Sequence, residues 1–125
     1  MPTVRDMIRK KGSEVFSILP NATIYEALTI LAKHNTGALM VVSGNKVEVI
    51  LSERDCVRKV DLAGKTSKNT KVSEVMTTKV IYVEAGQELE ECMALMIDKN
   101  IRHLPVFDGK ELLGLISVRD VLKEV

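Results

Sequence analysis

The chain has 125 residues, 46% hydrophobic and 28% charged, with 3% aromatic and no Trp, so one compact unit with an aliphatic, Met-rich core is expected. Eighteen basic residues against seventeen acidic ones leave a formal charge of +1, which argues against general nucleic-acid or membrane-surface binding, since both draw on a basic face. No apolar run nears the roughly 18 residues that span a bilayer, the N-terminal stretch carries no apolar signal segment, and Cys56 and Cys92 stand apart without disulfide or ligand spacing, so a cytoplasmic, metal-free protein is expected.

In chain order, a short lead-in "VRDMI" at Val4 precedes "VFSIL" at Val15, which reads as a strand. "TIYEALTILAKHN" then places Ile24, Ala27, Leu28 and Leu31 on one helical stripe. Thr23 and Glu26 have capping-box spacing, and Asn35 is suited to the left-handed residue that stops a helix. Two apolar runs, "ALMVV" and "VEVIL", are joined through a turn signal at Ser43-Gly44-Asn45. Ser52-Glu53-Arg54-Asp55 opens a second helix. Residues 61–71, "DLAGKTSKNTK", are polar and read as a linker. The same series then returns: lead-in "VSEVM" at Val72, strand "VIYVE" at Val80, and helix "ELEECMALMIDKN" with stripe Leu89, Cys92, Met93 and Met96, ending at Asn100. The hairpin "HLPVF-DGKE-LLGLI" follows, then Ser117-Val118-Arg119-Asp120.

The return is a tandem duplication. An ungapped shift of 65 residues lays Glu26, Asn35, Leu39, Val41, Ser52, Arg54 and Asp55 on Glu91, Asn100, Leu104, Val106, Ser117, Arg119 and Asp120. The lead-ins align with a shift of 68 instead. Residues 1–60 form the first repeat and 72–125 the second, each strand–helix–strand–strand–helix. A unit of about 55 residues is marginal on its own, so two copies sharing a core are expected, packed about a pseudo-twofold axis, with small-ligand clefts at the seams.

The Ser-x-Arg-Asp junctions admit two readings. Ser is a preferred N-cap, and an Asp three residues on can complete a capping box. The same groups suit a nucleotide: a Ser hydroxyl and Arg54 or Arg119 for phosphate, and an Asp carboxylate for a ribose diol. Elsewhere the signals are structural. "GKT" at Gly64 lacks the earlier P-loop glycine, because position 59 is Lys59. His34 has no ligand partner at helical spacing, and Met76, Met93 and Met96 read as core filler. No nucleophile–base pair, paired carboxylates or metal set stands out, so no enzyme is expected.

Two tandem units, each ending in apolar–Ser-x-x-Asp–helix, resemble a cystathionine β-synthase (CBS) domain pair. "IRHLPVFDGKELLGLISVRDVL" is very similar to that family's second-half pattern. The resemblance runs from Val4 to Val125 and implies an α+β fold of two CBS-type β-α-β-β-α units. It also implies a regulatory sensor, homodimeric through helix faces, that binds AMP, ATP or NAD(H) between its repeats with no obligatory cofactor. The alternative is a ligand-independent interaction module of the same fold. On the resemblance, Ser117 and Ser52 would meet phosphate, and Asp120 and Asp55 ribose. Arg102 and His103 would hold phosphates as a cationic pair, Pro105 would form an apolar edge, Val80 would offer its backbone to adenine, and Thr36, Gly37 and Ala38 would form a small opposite wall. Arg54, Arg58, Arg102 and Arg119 favour a phosphorylated ligand over S-adenosylmethionine. The family's glycine before the motif is Gly114 in the second copy but Val49 in the first, so the Ser52–Asp55 site is expected to be the weaker one.

Overall fold

The computed structural model describes residues 2–12, 14–43 and 46–124. In chain order the elements are α1 (Val4–Lys11), β1 (Ser17–Ile18), α2 (Ile24–His34), β2 (Ala38–Ser43), β3 (Lys46–Ser52), α3 (Glu53–Cys56), β4 (Val83–Glu84), α4 (Leu89–Lys99), β5 (His103–Asp108), β6 (Glu111–Ser117) and α5 (Val118–Leu122). α3 widens into a π-helical turn over Val57–Asp61, and single 3-10 turns lie at Ser67–Asn69 and Val72–Glu74. The fold is α+β, with two three-stranded sheets in the orders β1-β2-β3 and β4-β5-β6. In each sheet the short first strand runs parallel to the second, and the second pairs antiparallel with the third.

The chain forms two compact units that do not follow the sequence repeats. Phe16–Val80 makes one, and Met1–Val15 together with Ile81–Val125 makes the other. Each lead-in is therefore packed on the other copy. Val4 N–H donates to the Gln87 carbonyl at 2.9 Å and Arg5 N–H to that of Ala85 at 2.9 Å. At the equivalent positions, Val72 N–H donates to the Ala22 carbonyl at 2.8 Å and Ser73 N–H to that of Pro20 at 2.9 Å. Bridges Thr3–Glu88 and Thr23–Lys71 complete the correspondence. The shift of 68 rather than 65 for the lead-ins belongs to segments that serve the opposite copy's unit.

In the Phe16–Val80 unit, α2 turns Ile24, Ala27 and Leu31 onto Leu39, Val41 and Leu51 of the sheet, and Val72 and Val75 of the exchanged lead-in close the core. In the other unit, Leu89, Cys92 and Met96 of α4 meet Leu104, Val106 and Ile116, with Val4, Met7 and Ile8 of α1 closing it. Full burial of such a side chain stabilises by about 1.5–3 kcal/mol before the entropy cost of ordering it. The α4 stripe of Leu89, Cys92 and Met96 is spent on its own core, with Met93 packed against it.

Both helix stops are as expected: Asn35 has φ 49° and ψ 47°, and Asn100 φ 53° and ψ 46°. The second hairpin closes at Asp108–Glu111, with Gly109 at φ 63° where a side chain would be strained. The turn signal at Gly44-Asn45 lies outside the described residues. Other details differ from expectation. "VFSIL" and "VIYVE" supply only two paired residues each, because one neighbouring strand satisfies so short an edge. At α2 the capping box is half made: the Thr23 hydroxyl accepts from Glu26 N–H at 3.1 Å, without the reciprocal bond. The stretch read as a free linker ends inside a core, since Thr70 is buried and its carbonyl accepts from Ile24 N–H at 2.8 Å.

Candidate functional site

β6 runs straight into α5, and Ser117 is the hinge residue. The Ser117 hydroxyl accepts from Asp120 N–H at 3.1 Å, while Asp120 Oδ2 accepts from Ser117 N–H at 2.8 Å. The capping box is complete, so Ser117 and Asp120 do cap α5. A third group joins it. Lys11 Nζ, from the end of α1, lies 2.7 Å from Asp120 Oδ2 and donates to the Leu115 carbonyl at 2.7 Å. Burial alone would raise the Asp120 carboxyl, but Lys11 and the bonds from Ser117 outweigh it and hold the group below the usual carboxylate range. Asp120 is therefore a fixed anion at neutral pH, with its side chain 20% exposed.

β5 delivers the next residues. His103 pairs with Ser117 across the hairpin, Pro105 with Leu115, and the Arg102 carbonyl accepts from Val118 N–H at 2.9 Å. Burial pushes the His103 imidazole below its ordinary value against the pull of Asp120, with Lys11 and Arg102 adding to the depression. The expected cationic pair is thus one exposed guanidinium and one neutral imidazole at pH 7. Pro105 is buried within β5, and Arg119 is exposed.

The first copy repeats the backbone and changes the partners. Ala38 pairs with Ser52, and the Gly37 carbonyl accepts from Glu53 N–H at 2.9 Å, which brings Gly37 and Ala38 beside the motif. Thr36 Oγ1 sits 3.4 Å from the Ala38 carbonyl oxygen. The Ser52 hydroxyl accepts from Asp55 N–H at 3.1 Å, but the Asp55 carboxylate receives the Thr77 hydroxyl at 3.3 Å in place of an ammonium. Arg54 is half-buried beside them. Val80 ends this same unit in irregular backbone, half-buried.

Gly114 has a packing role that the sequence did not disclose. A Cβ there would stand 2.8 Å from Ile8 Cδ1 of α1, so the missing side chain makes room for the exchanged helix. Val49, its equivalent, and Met76, the equivalent of Ile8, pack against the other core together. Gly114 therefore has a packing reason of its own, beside the ligand reason that the resemblance implies. Lys11 and Thr77 were both missed by sequence reading. Their signal is faint: under the lead-in shift, Arg9-Lys10-Lys11 faces Thr77-Thr78-Lys79.

Cys56 and Cys92 are buried, and burial pushes each thiol up to about 11, with Asp55 and Glu53 adding to the rise at Cys56 and Glu91 at Cys92. Neither is a poised nucleophile. Among the described residues no group of three or more His, Cys, Asp or Glu side chains could hold a metal ion, and no helix is long and apolar enough to cross a membrane.

The CBS domain model matches residues 4–62 and again 72–125. The chain belongs to the CBS domain family. A solved protein with CBS domains from Burkholderia ambifaria MC40-6 superposes with a TM-score of 0.94 at 43% identity, covering 98% of this chain and 93% of that one. The CBS domain-containing protein CBSX3, mitochondrial, of Arabidopsis thaliana is 35% identical over 98% of this CBS chain, which spans 64% of that relative's length. The CBS domain pair of protein MJ0100, solved in complex with 5′-methylthioadenosine and S-adenosyl-L-methionine, matches at 26% identity and a TM-score of 0.83, covering 99% of this chain and 95% of that one.

Proposed function

We propose that this CBS pair is a regulatory sensor for an adenosine-containing ligand, AMP, ATP or NAD(H), with no catalytic role of its own. The observation that carries the reading is the Ser117–Asp120 junction. A carboxylate kept ionised by its neighbours and still partly open to solvent is suited to a ribose diol, while the adjacent Ser117 hydroxyl and the exposed Arg102 and Arg119 are suited to phosphate. The adenosine ligands of the MJ0100 domain pair support the same ligand class. Ser52 and Asp55, with Arg54, Thr36, Gly37 and Ala38 close by, form the equivalent candidate in the first copy. We further propose a homodimer acting in the cytoplasm. Large apolar side chains left exposed on helices, Tyr25 on α2, Ile97 on α4 and Leu122 on α5, support the former.

One observation favours the second reading, a ligand-independent interaction module. The capping box and Lys11 already satisfy Ser117 and Asp120 without any ligand. Thermal unfolding with AMP, ATP, NAD and 5′-methylthioadenosine separates the two. A ligand at about 100 times its Kd stabilises a sensor by about 2.7 kcal/mol, whereas an interaction module shows no shift with any of them.

A further inference from the structure

We infer that Lys11 is a built-in competitor for the ribose site and that a ligand engaging Asp120 must release the end of α1. This inference rests on the proposed sensor reading and adds its regulation. A carboxylate oxygen accepts about two hydrogen bonds. Oδ2 of Asp120 already accepts two, from the Lys11 ammonium at 2.7 Å and from Ser117 N–H at 2.8 Å. A vicinal diol held in bidentate fashion needs a place on each oxygen, so one of these donors has to leave. Ser117 N–H is fixed in the β6–α5 backbone. Lys11 is a flexible side chain, one-third exposed.

Among the described residues three ion pairs join α1 to its unit: Arg5–Asp108 at 3.2 Å, Lys10–Glu124 at 3.2 Å and Lys11–Asp120 at 2.7 Å. The first two involve more exposed charges, and exposed pairs contribute little. Lys11 makes the shortest of the three and adds the bond to the Leu115 carbonyl. It is also the last residue of α1. Gly12 follows at φ 96°, and the chain leaves this unit after Val15. Displacing Lys11 therefore loosens the helix end from which the chain departs for the other unit. In the first copy, among the described residues, the Asp55 carboxylate carries the neutral Thr77 hydroxyl and no ammonium.

The test compares wild type, Lys11→Met and Asp120→Asn, with uncharged adenosine as the calorimetric probe and hydrogen exchange read at the amides of residues 9–12. Lys11→Met keeps an unbranched chain one atom shorter and removes the charge. It is expected to bind adenosine about three- to tenfold more tightly than wild type, and the gap should narrow in 0.5 M salt as the ion pair is screened. In wild type, adenosine should speed exchange at residues 9–12. In Lys11→Met those amides should already exchange fast without it. If Asp120→Asn abolishes adenosine binding while Lys11→Met leaves it unchanged or weaker, the competitor role is overturned and the sensor reading stands. If adenosine binds none of the three proteins, the competitor role is overturned; if AMP, ATP and NAD fail to bind as well, or Asp120→Asn binds as well as wild type, the sensor reading itself fails with it.

Discussion

Gly114 offers a sharp test of whether the exchanged helix, and not a bound ligand, explains a glycine at this place in β6. Its backbone lies outside the left-handed region, so alanine is conformationally allowed. The obstacle is one atom: the new Cβ would stand 2.8 Å from Ile8 Cδ1, while the other Ile8 carbons lie at 3.8 Å, ordinary contact. Gly114→Ala should therefore cost about 1 kcal/mol, the low end for overpacking, because only a terminal methyl has to move. Ile8→Val deletes that methyl and should cost about 1 kcal/mol by itself. The double variant should cost no more than Ile8→Val alone, because the clash is gone and alanine also restricts the unfolded chain. The cycle then shows a coupling near −1 kcal/mol, readable by urea denaturation as midpoints that move without a change in slope. Additive losses would refute the packing account. So would a Gly114→Ala protein of unchanged stability that has lost ligand binding, which would return the glycine to the ligand.

Two other outcomes are expected. The lowered value at His103 means that the unfolded chain takes up its proton near pH 6.5 while the folded one resists until lower pH. Stability should thus fall as pH drops below about 6.5, with a slope from this group of at most about 1.4 kcal/mol per pH unit; His103→Gln should flatten that part of the profile, and an unchanged slope would contradict the assignment. Asp120, held low, keeps its tie to Lys11 throughout this range and loses it only in acid below the ordinary carboxylate value. Light scattering at micromolar protein should give about twice the 13.9 kDa chain mass, and a monomer persisting at high concentration would remove the dimer from the proposal.

Local features were legible wherever one residue type answers one backbone demand. Asn35 and Asn100 end helices because asparagine tolerates the left-handed region, and Gly109 marks a hairpin for the same reason. The duplication was legible because both copies carry the same stripe, turn and Ser-x-x-Asp order. What remained hidden depends on through-space neighbours. The lead-in exchange rests on backbone hydrogen bonds at Val4, Arg5, Val72 and Ser73 and on ordinary apolar side chains, so only the changed offset records it in the sequence. Gly114 looked like room for a ligand because Ile8 is far away in sequence. Little in the sequence ties Lys11 to Asp120, 109 residues away, and only the fold brings them together. The burial that neutralises His103 is equally a property of the packed unit.

The most direct test of the account is a calorimetric titration of AMP, ATP, NAD and adenosine into wild type and Asp120→Asn. The asparagine keeps an acceptor for the Ser117 N–H, so the cap survives while the charge is lost. At least one ligand should bind wild type, and Asp120→Asn should weaken it about 10- to 100-fold, the worth of hydrogen bonds to an ionised acceptor. No heat with any of the four ligands, or equal affinity in the two proteins, would contradict the claim that Asp120 is a ribose anchor and leave Ser117–Asp120 as a helix cap.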